Sequence, residues 1–263
     1  MVSTADSSVL WSLTQIQSPS LSMTSETVDA TDALGTTIMT FERAKSATFS
    51  GENAILDLGL LAAQAGTVKE YSGSDNKILA PIFDTITLTA QNISDGKVEL
   101  SKLPVSVQAD GAAASSLTEI FKLSSDSTLG QSFKVGTAAS DTEFAIAADS
   151  KELQLPTGLV AGDQIFAMYD YEADDAEGNG AVQIVNSASE FPKNGKFILE
   201  VLGADVCDST TKVYAYLIFP NCKLSSATDL TLETEMSQGF EIVANQSYCS
   251  KTNELWRLVI PEA

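Results

Sequence analysis

The sequence predicts a mainly β protein, an antiparallel sandwich or barrel flanked by one helix, and three observations predict it. Short runs of alternating apolar and polar residues recur along the chain. Turn-forming clusters separate them at intervals of about 8 to 12 residues, and helical periodicity is confined almost entirely to one stretch.

Each element follows from local pattern. The first 24 residues, rich in Ser and Thr around Trp11, read as an arm that either docks on a neighbour or packs Trp11 onto its own domain. Residues 26–31 and 36–41 alternate as strands on either side of Asp32, Ala33, Leu34 and Gly35, a hairpin turn in which Gly35 supplies a positive φ. Residues 45–50 read as a third strand. Ser50 then stands as N-cap of a helix over about 52–65, closed by Gly66. Within it Ile55, Leu58, Leu61 and Ala62 share a face, widened by Leu56, Leu60 and Ala63.

After a polar loop at 69–76, strands are expected at 78–83, 85–89 and 97–107. The composition from 110 to 150 shifts to Ala, Ser, Thr and Asp, which marks a softer inserted region, with a short helix or strand at 116–123. A second strand-rich block covers 164–169, 181–185, 196–202, 212–219, 229–235, 240–244 and 255–260.

Composition excludes more functions than it suggests. The 263 residues are 44% hydrophobic and 19% charged, enough for a folded core and unlike a disordered chain. Fifteen Lys and Arg face 35 Asp and Glu, a formal net charge of −20 that disfavours tight binding to nucleic acid phosphates. The same excess would line an enclosed channel with negative potential, through which DNA passes without sticking. No histidine is present, which removes the usual general base and the commonest metal ligand. Neither a phosphate-cradling loop nor a dinucleotide-binding glycine pattern occurs. No catalytic residue, cofactor or metal is assigned, and an enzyme is not expected.

Three local features remain. The acidic run Asp170, Glu172, Asp174, Asp175 and Glu177 could hold Ca²⁺ only on an irregular loop, because an EF-hand needs Gly where Asp175 stands; a solvated hairpin loop tipped by Gly178, Asn179 and Gly180 is the expected form. Cys207, Cys222 and Cys249 are odd in number and lack a C-x-x-C pair, so buried thiols are expected, with a Cys207–Cys222 bridge left open. The segment from Met1 to Asp6 has no basic stretch or apolar run, and no segment approaches the length of a membrane-spanning helix. Neither a secretory signal nor a membrane anchor is expected.

Two segments resemble tailed-phage tail tube (major tail) proteins and the related tubes of contractile injection systems. The first runs from Val28 through the hairpin and Ala47-Thr48-Phe49-Ser50 into the helix ending Ala62-Ala63-Gln64-Ala65-Gly66. The second comprises Phe219-Pro220-Asn221-Cys222-Lys223-Leu224, residues 229–235, residues 239–244 and residues 254–260. The resemblance implies a β-sandwich or barrel of tail-tube type with a flanking helix, built as an arm at 1–24, a tail-tube-like β core from 25–109 and 192–263, and an inserted or decorating β region at 110–191. It also implies subunits that close into hexameric rings, stacked into a tube for genome passage. Implied partners are further copies of the chain and other phage tail or neck proteins, with genomic DNA as passing cargo only. The implied location is the virion tail, after assembly in the host cytoplasm.

In that picture the hairpin makes inter-ring or inter-subunit contact, with Val28, Thr31, Gly35, Thr37, Ile38 and Phe41 as candidate contact residues. No Lys or Pro from Val28 to Phe41 blocks the strand edges. The competing readings are a head decoration or fibre subunit and a carboxylate-dependent glycosidase or carbohydrate-binding β-sandwich. For the last, Trp11, Trp256, Tyr169, Tyr171, Tyr214 and Tyr216 are the available stacking aromatics.

Overall fold

The protein was analysed as a computed structural model that describes residues 1–109, 112–136, 138–147, 149–204, 212–231, 236–246 and 253–261. In chain order the elements are β1 (Val2–Ser3), β2 (Ile16–Thr31), β3 (Thr37–Asn53), α1 (Leu58–Ala65), β4 (Glu70–Tyr71), β5 (Ile78–Thr87), α2 (Ala90–Asp95), β6 (Lys97–Glu99), β7 (Ser106–Ala109) and β8 (Ala112–Ser115). They continue as β9 (Glu119–Leu123), β10 (Leu129–Gly136), β11 (Glu143–Ile146), β12 (Glu152–Gln154), β13 (Gln164–Ala173), β14 (Val182–Gln183), β15 (Asn194–Ala204), β16 (Lys212–Leu224), β17 (Leu230–Thr231), β18 (Ser237–Ala244) and β19 (Arg257–Val259). The fold is mainly β with antiparallel sheets, as the alternation predicts. Between β10 and β11 the pairing is parallel.

The chain forms two compact units, one from Met1–Glu70 with Ile184–Ala263, the other from Tyr71–Gln183. Leu117, Ile120, Phe133 and Phe144, sparse among the small residues of 110–150, are all buried in the second unit's core. A few large side chains at inward positions suffice to build a sheet interior.

In the first unit one eight-stranded sheet has the order β1-β15-β16-β18-β3-β2, with β17 beside β18 and β19 beside β16. Its inner face carries Phe49, Phe197, Phe219 and Phe240, whose ring centroids lie 5.3 to 6.3 Å apart in neighbouring pairs. Trp11 is 4% exposed and packs against Phe197 and Phe240. The expected arm at 1–24 is thus divided. Residues around Met1 and Trp11 join the core, and Ile16 opens β2.

The helix starts later than its periodicity suggests. Glu52 and Asn53 are the last residues of β3, paired with Gly239 and Gln238, and Ser50 is paired with Glu241. Asp57 is the true N-cap; its carboxylate accepts from the Leu60 amide at 2.7 Å. Ladder pairing with β18 and a better cap outcompete the helical pattern over 52–57. Leu60 and Ala62 are buried as expected, whereas Ile55, left outside the helix, is exposed. Gly66 closes the helix at φ 77°, and a Cβ there would lie 2.5 Å from the Phe191 carbonyl carbon.

The helix is tied to the sheet by buried amides. Gln64 Nε2 donates to the Gly239 carbonyl at 2.9 Å, Gln238 Nε2 donates to Gln64 Oε1 at 3.0 Å, and the Asp57 amide donates to Gln238 Oε1 at 3.0 Å. Such buried polar groups are tolerated because they satisfy one another.

The second unit is a curled seven-stranded sheet of order β5-β13-β9-β10-β11-β12-β6. The two runs expected at 78–83 and 85–89 are a single strand, β5. Asp84, at its middle, points inward and is 6% exposed. Its carboxylate accepts from Tyr169 Oη at 2.6 Å and from the Ser101 amide at 2.9 Å, and Tyr169 Oη accepts from the Lys102 amide at 3.0 Å. These bonds link β5 to the chain leaving β6, so they fasten the two edge strands of the sheet to each other. The run expected at 97–107 is two strands, β6 and β7, and the one expected at 116–123 is strand β9. A short second helix, α2, capped by Thr89 and Asn92, carries no apolar periodicity that the sequence could display in six residues.

Candidate assembly surface

Strands β2 and β3 continue far beyond the core as a two-stranded ribbon. They span 16 and 17 residues, and from Gln17 to Ser46 the side chains are exposed on both faces of the ribbon. The turn is built by Asp32, whose Oδ1 accepts from the Leu34 amide at 2.9 Å and the Thr36 amide at 2.8 Å, while Gly35 takes φ 84°. That turn is the one the sequence predicts. Residues 45–50, expected as a separate strand, are instead the continuation of β3, because no turn intervenes at 42–44.

Register assigns the faces, since directly opposed residues in an antiparallel pair share one side. Val28 opposes Phe41 and Ala30 opposes Met39, whereas Thr27 opposes Glu42 and Asp29 opposes Thr40. One face of the distal ribbon is therefore apolar and the other is polar. On the polar face Thr40 Oγ1 donates to Asp29 Oδ1 at 2.6 Å. The apolar face ends at the exposed Glu26–Arg43 ion pair, 3.3 Å. Between Thr24/Ser46 and Glu26/Arg43 β3 carries one extra residue, and within this bulge Ala44 adopts φ 51°. Along β2 the alternation is unbroken from Ser20 to Ala30, so Val28 and Ala30 continue the face of Ser20, Ser22 and Thr24.

That face is the one turned away from the first unit's core. At the base of the ribbon it carries Ser20, Ser22 and Thr24 on β2, Ser46, Thr48, Ser50 and Glu52 on β3, and Glu241 on β18. Thr24 and Ser46 hydroxyls are 2.7 Å apart. Hydroxyls and carboxylates fill most of these positions, with Val243 opposite Thr48 and Lys223 beside Val243 on the same face. Farther across the same sheet the face turns mostly apolar, interrupted by the exposed Glu200 opposite Tyr216. Ile198 opposes Ile218, Leu202 opposes Tyr214, and Tyr216 opposes Val259; Ile198, Leu202, Tyr214 and Val259 are each at least 41% exposed.

Of the six candidate contact residues, Val28 and Phe41 are direct cross-strand neighbours, as are Thr31 and Thr37, and Gly35 lies in the turn. Ile38 falls in the register shift between Ala30 and Thr31, with no opposite residue, and is 69% exposed. Ala30 and Met39 complete the apolar face but were not among the six. Their signal was present as the two-residue spacing from Val28 and Phe41. Leu34, 91% exposed at the tip, was also outside the set.

The remaining sequence features have structural roles. Asp174 accepts from the Ala176 amide and from Asn179 Nδ2, and these bonds, the second foremost, hold its carboxyl below the usual carboxylate range. Glu172 pairs with Lys77. The acidic run is thus a hydrogen-bonded strand end and loop, and among the described residues no group of three or more His, Cys, Asp or Glu could hold a metal ion. Cys222 is a free, fully buried thiol whose Sγ donates to the Gly195 carbonyl at 3.1 Å; burial pushes it up to about 12. Cys207 and Cys249 lie outside the described residues, as does 232–235 of the strand expected at 229–235. No helix among the described residues is long and apolar enough to cross a membrane.

No curated protein matches the sequence. A family model does, over residues 1–251, nearly the entire length that carries the ribbon, its supporting sheet and the second unit. The chain belongs to the YomU/Tube protein family.

Proposed function

We propose that the chain is a phage tail tube subunit, a structural protein that closes into rings, hexameric by resemblance, which stack into a channel for genome passage. The observation that carries this reading is the ribbon. A two-stranded ribbon exposed on both sides is marginal by itself in water, and one whose distal face bears Val28, Ala30, Met39 and Phe41 gains its stability by docking. Burial of each large apolar side chain would contribute about 1.5–3 kcal/mol. Val28, Thr31, Gly35, Thr37, Ile38 and Phe41 belong to this docking element, and other tail or neck proteins are its end-of-tube partners.

The face carrying Ser20, Ser22, Thr24, Thr48, Ser50, Glu52 and Glu241 supports a channel lining. Its hydroxyls stay hydrated and its carboxylates repel phosphate, so DNA slides past it as cargo. Such a protein acts through assembly in the virion tail and not through catalysis. In this reading residues 110–191, the inserted region of the sequence, decorate the outside of the tube.

Negative-stain electron microscopy with light scattering, at increasing salt, tests the proposal. A net charge of −20 opposes association, so screening favours assembly. Rings or stacked tubes with an open bore are the expected result. A protein that stays monomeric at every salt and protein concentration overturns it.

A further inference from the structure

The chain contains two Asn-Gly pairs, Asn179-Gly180 and Asn194-Gly195. An asparagine followed by glycine is chemically distinctive, because no Cβ shields the following backbone nitrogen from the side-chain carbonyl carbon. The fold treats the two pairs in opposite ways.

Asn194 and Gly195 open β15. Asn194 pairs with Lys223, and Gly195 lies between Ser3 of β1 and Cys222 of β16. A Cβ at Gly195 would meet Met1 Cε at 2.6 Å and the Val2 carbonyl oxygen at 2.7 Å, so the backbone there has no room to turn. In an extended strand the asparagine side chain stands out from the sheet while the next amide lies in its plane. The atoms that would react are held apart.

Asn179 and Gly180 lie in the loop between β13 and β14. Gly180 is exposed, and among the described residues its amide donates to no acceptor. A Cβ there would find nothing nearer than the Asp174 carbonyl oxygen at 3.8 Å, and its φ is not positive. The Asn179 amide donates to the Ala176 carbonyl at 2.9 Å, and its carbonyl accepts from the Asp174 amide at 3.2 Å. In the side chain, Oδ1 accepts from Lys102 Nζ at 3.2 Å, and Nδ2 donates to the Glu172 carbonyl at 3.1 Å and to Asp174 Oδ1 at 2.9 Å. The Lys102 ammonium thus sits on the oxygen where negative charge develops when the side-chain carbonyl carbon is attacked.

We propose that Asn179 is a site of spontaneous deamidation. The Gly180 backbone nitrogen attacks Asn179 Cγ and closes a cyclic imide; the Cγ–Nδ2 bond breaks, and Nδ2 leaves as ammonia together with the Gly180 amide proton. Water then opens the ring at either carbonyl and leaves aspartate or isoaspartate. The product carboxylate has no N–H for Glu172 or Asp174 and sets a second negative charge beside Asp174, so the loop loosens. The change is one-way and accumulates with the age of the protein.

The test is peptide mapping by mass spectrometry on the full chain, held folded in mildly alkaline buffer and sampled over weeks, with the urea-unfolded chain as the reference in which both pairs react. In the folded chain, conversion at Asn179 is expected to run about tenfold ahead of that at Asn194, a barrier difference of about 1.4 kcal/mol. Gly180→Ala, which the open space around Gly180 tolerates, is expected to keep the fold and to slow conversion at Asn179 about tenfold, because its Cβ crowds the attacking nitrogen. Asn179→Asp, the mimic of the product, is expected to speed hydrogen exchange at the Asp174 and Ala176 amides. An Asn179 as persistent as Asn194 in the folded chain overturns the proposal, and means that the bonds from Nδ2 hold the side chain shut. Conversion that proceeds unchanged in Gly180→Ala also overturns it, since the attacking atom would then not be the Gly180 nitrogen.

Discussion

Val28 and Phe41 face each other across the β2–β3 hairpin, 40% and 54% exposed, with Ala30 and Met39 continuing their face toward the tip. In a monomer such a pair contributes little to stability, and in the proposed assembly it would be a contact. This separates the effects of mutation on folding from those on association.

Phe41→Asp is expected to leave the fold intact, within about 0.5 kcal/mol of wild type by denaturant titration, because an exposed site away from the core tolerates substitution. The same variant is expected to remain monomeric at salt concentrations where wild type assembles. Light scattering and chemical denaturation of one preparation check both halves.

Gly66→Ala is expected to destabilise the first unit by about 1–3 kcal/mol, since alanine at φ 77° carries its own strain and its Cβ meets the Phe191 backbone. Gly35→Ala, at φ 84° in open space, lacks the second cost. A larger loss at Gly66 than at Gly35 in urea titrations is the expected ordering.

Tyr169→Phe removes a hydrogen bond donated to the buried Asp84 carboxylate and an acceptor for the Lys102 amide. A loss of about 1.5–3 kcal/mol is expected, as for a bond to a charged group. It should appear as faster amide exchange at β5 and near Ser101, where the sheet edges are fastened, with β15 and β16 unchanged.

Cys222 supplies a pH dependence. Its pKa is raised in the fold from an ordinary 9.0 to about 12, chiefly by burial. A raised folded value stabilises the native state fully below pH 9, and that contribution is lost as pH rises from about 9 toward 12, because only the unfolded chain ionises there. Cys222→Ala is expected to flatten the alkaline fall in stability. In the native protein Cys222 is expected to resist alkylation at pH 8 until denaturant is added, as read by peptide mapping.

Local chemistry carried much of the architecture. Alternation placed the strands of the hairpin, Asp32 and Gly35 placed its turn, and Gly66 placed the end of the helix, all within a few residues of sequence. The same alternation made the candidate contact face partly legible, because Val28 and Phe41 keep step across a turn of known length. Ala30 and Met39 were readable by the same spacing. Ile38 was not separable from them, because a bulge has no sequence period.

Composition, periodicity and turn chemistry by themselves determined that the chain is β-rich, strongly acidic, without histidine chemistry, and marked by an unblocked hairpin. Tertiary structure decided where Trp11 packs, that residues 52 and 53 belong to a strand, and which small-residue segments build the second core. Each of these depends on pairing between residues far apart in the chain, such as Asn53 with Gln238 or Thr48 with Val243. Pairing energy of that kind is absent from any local window, so it can override helix propensity and bury an apparent arm.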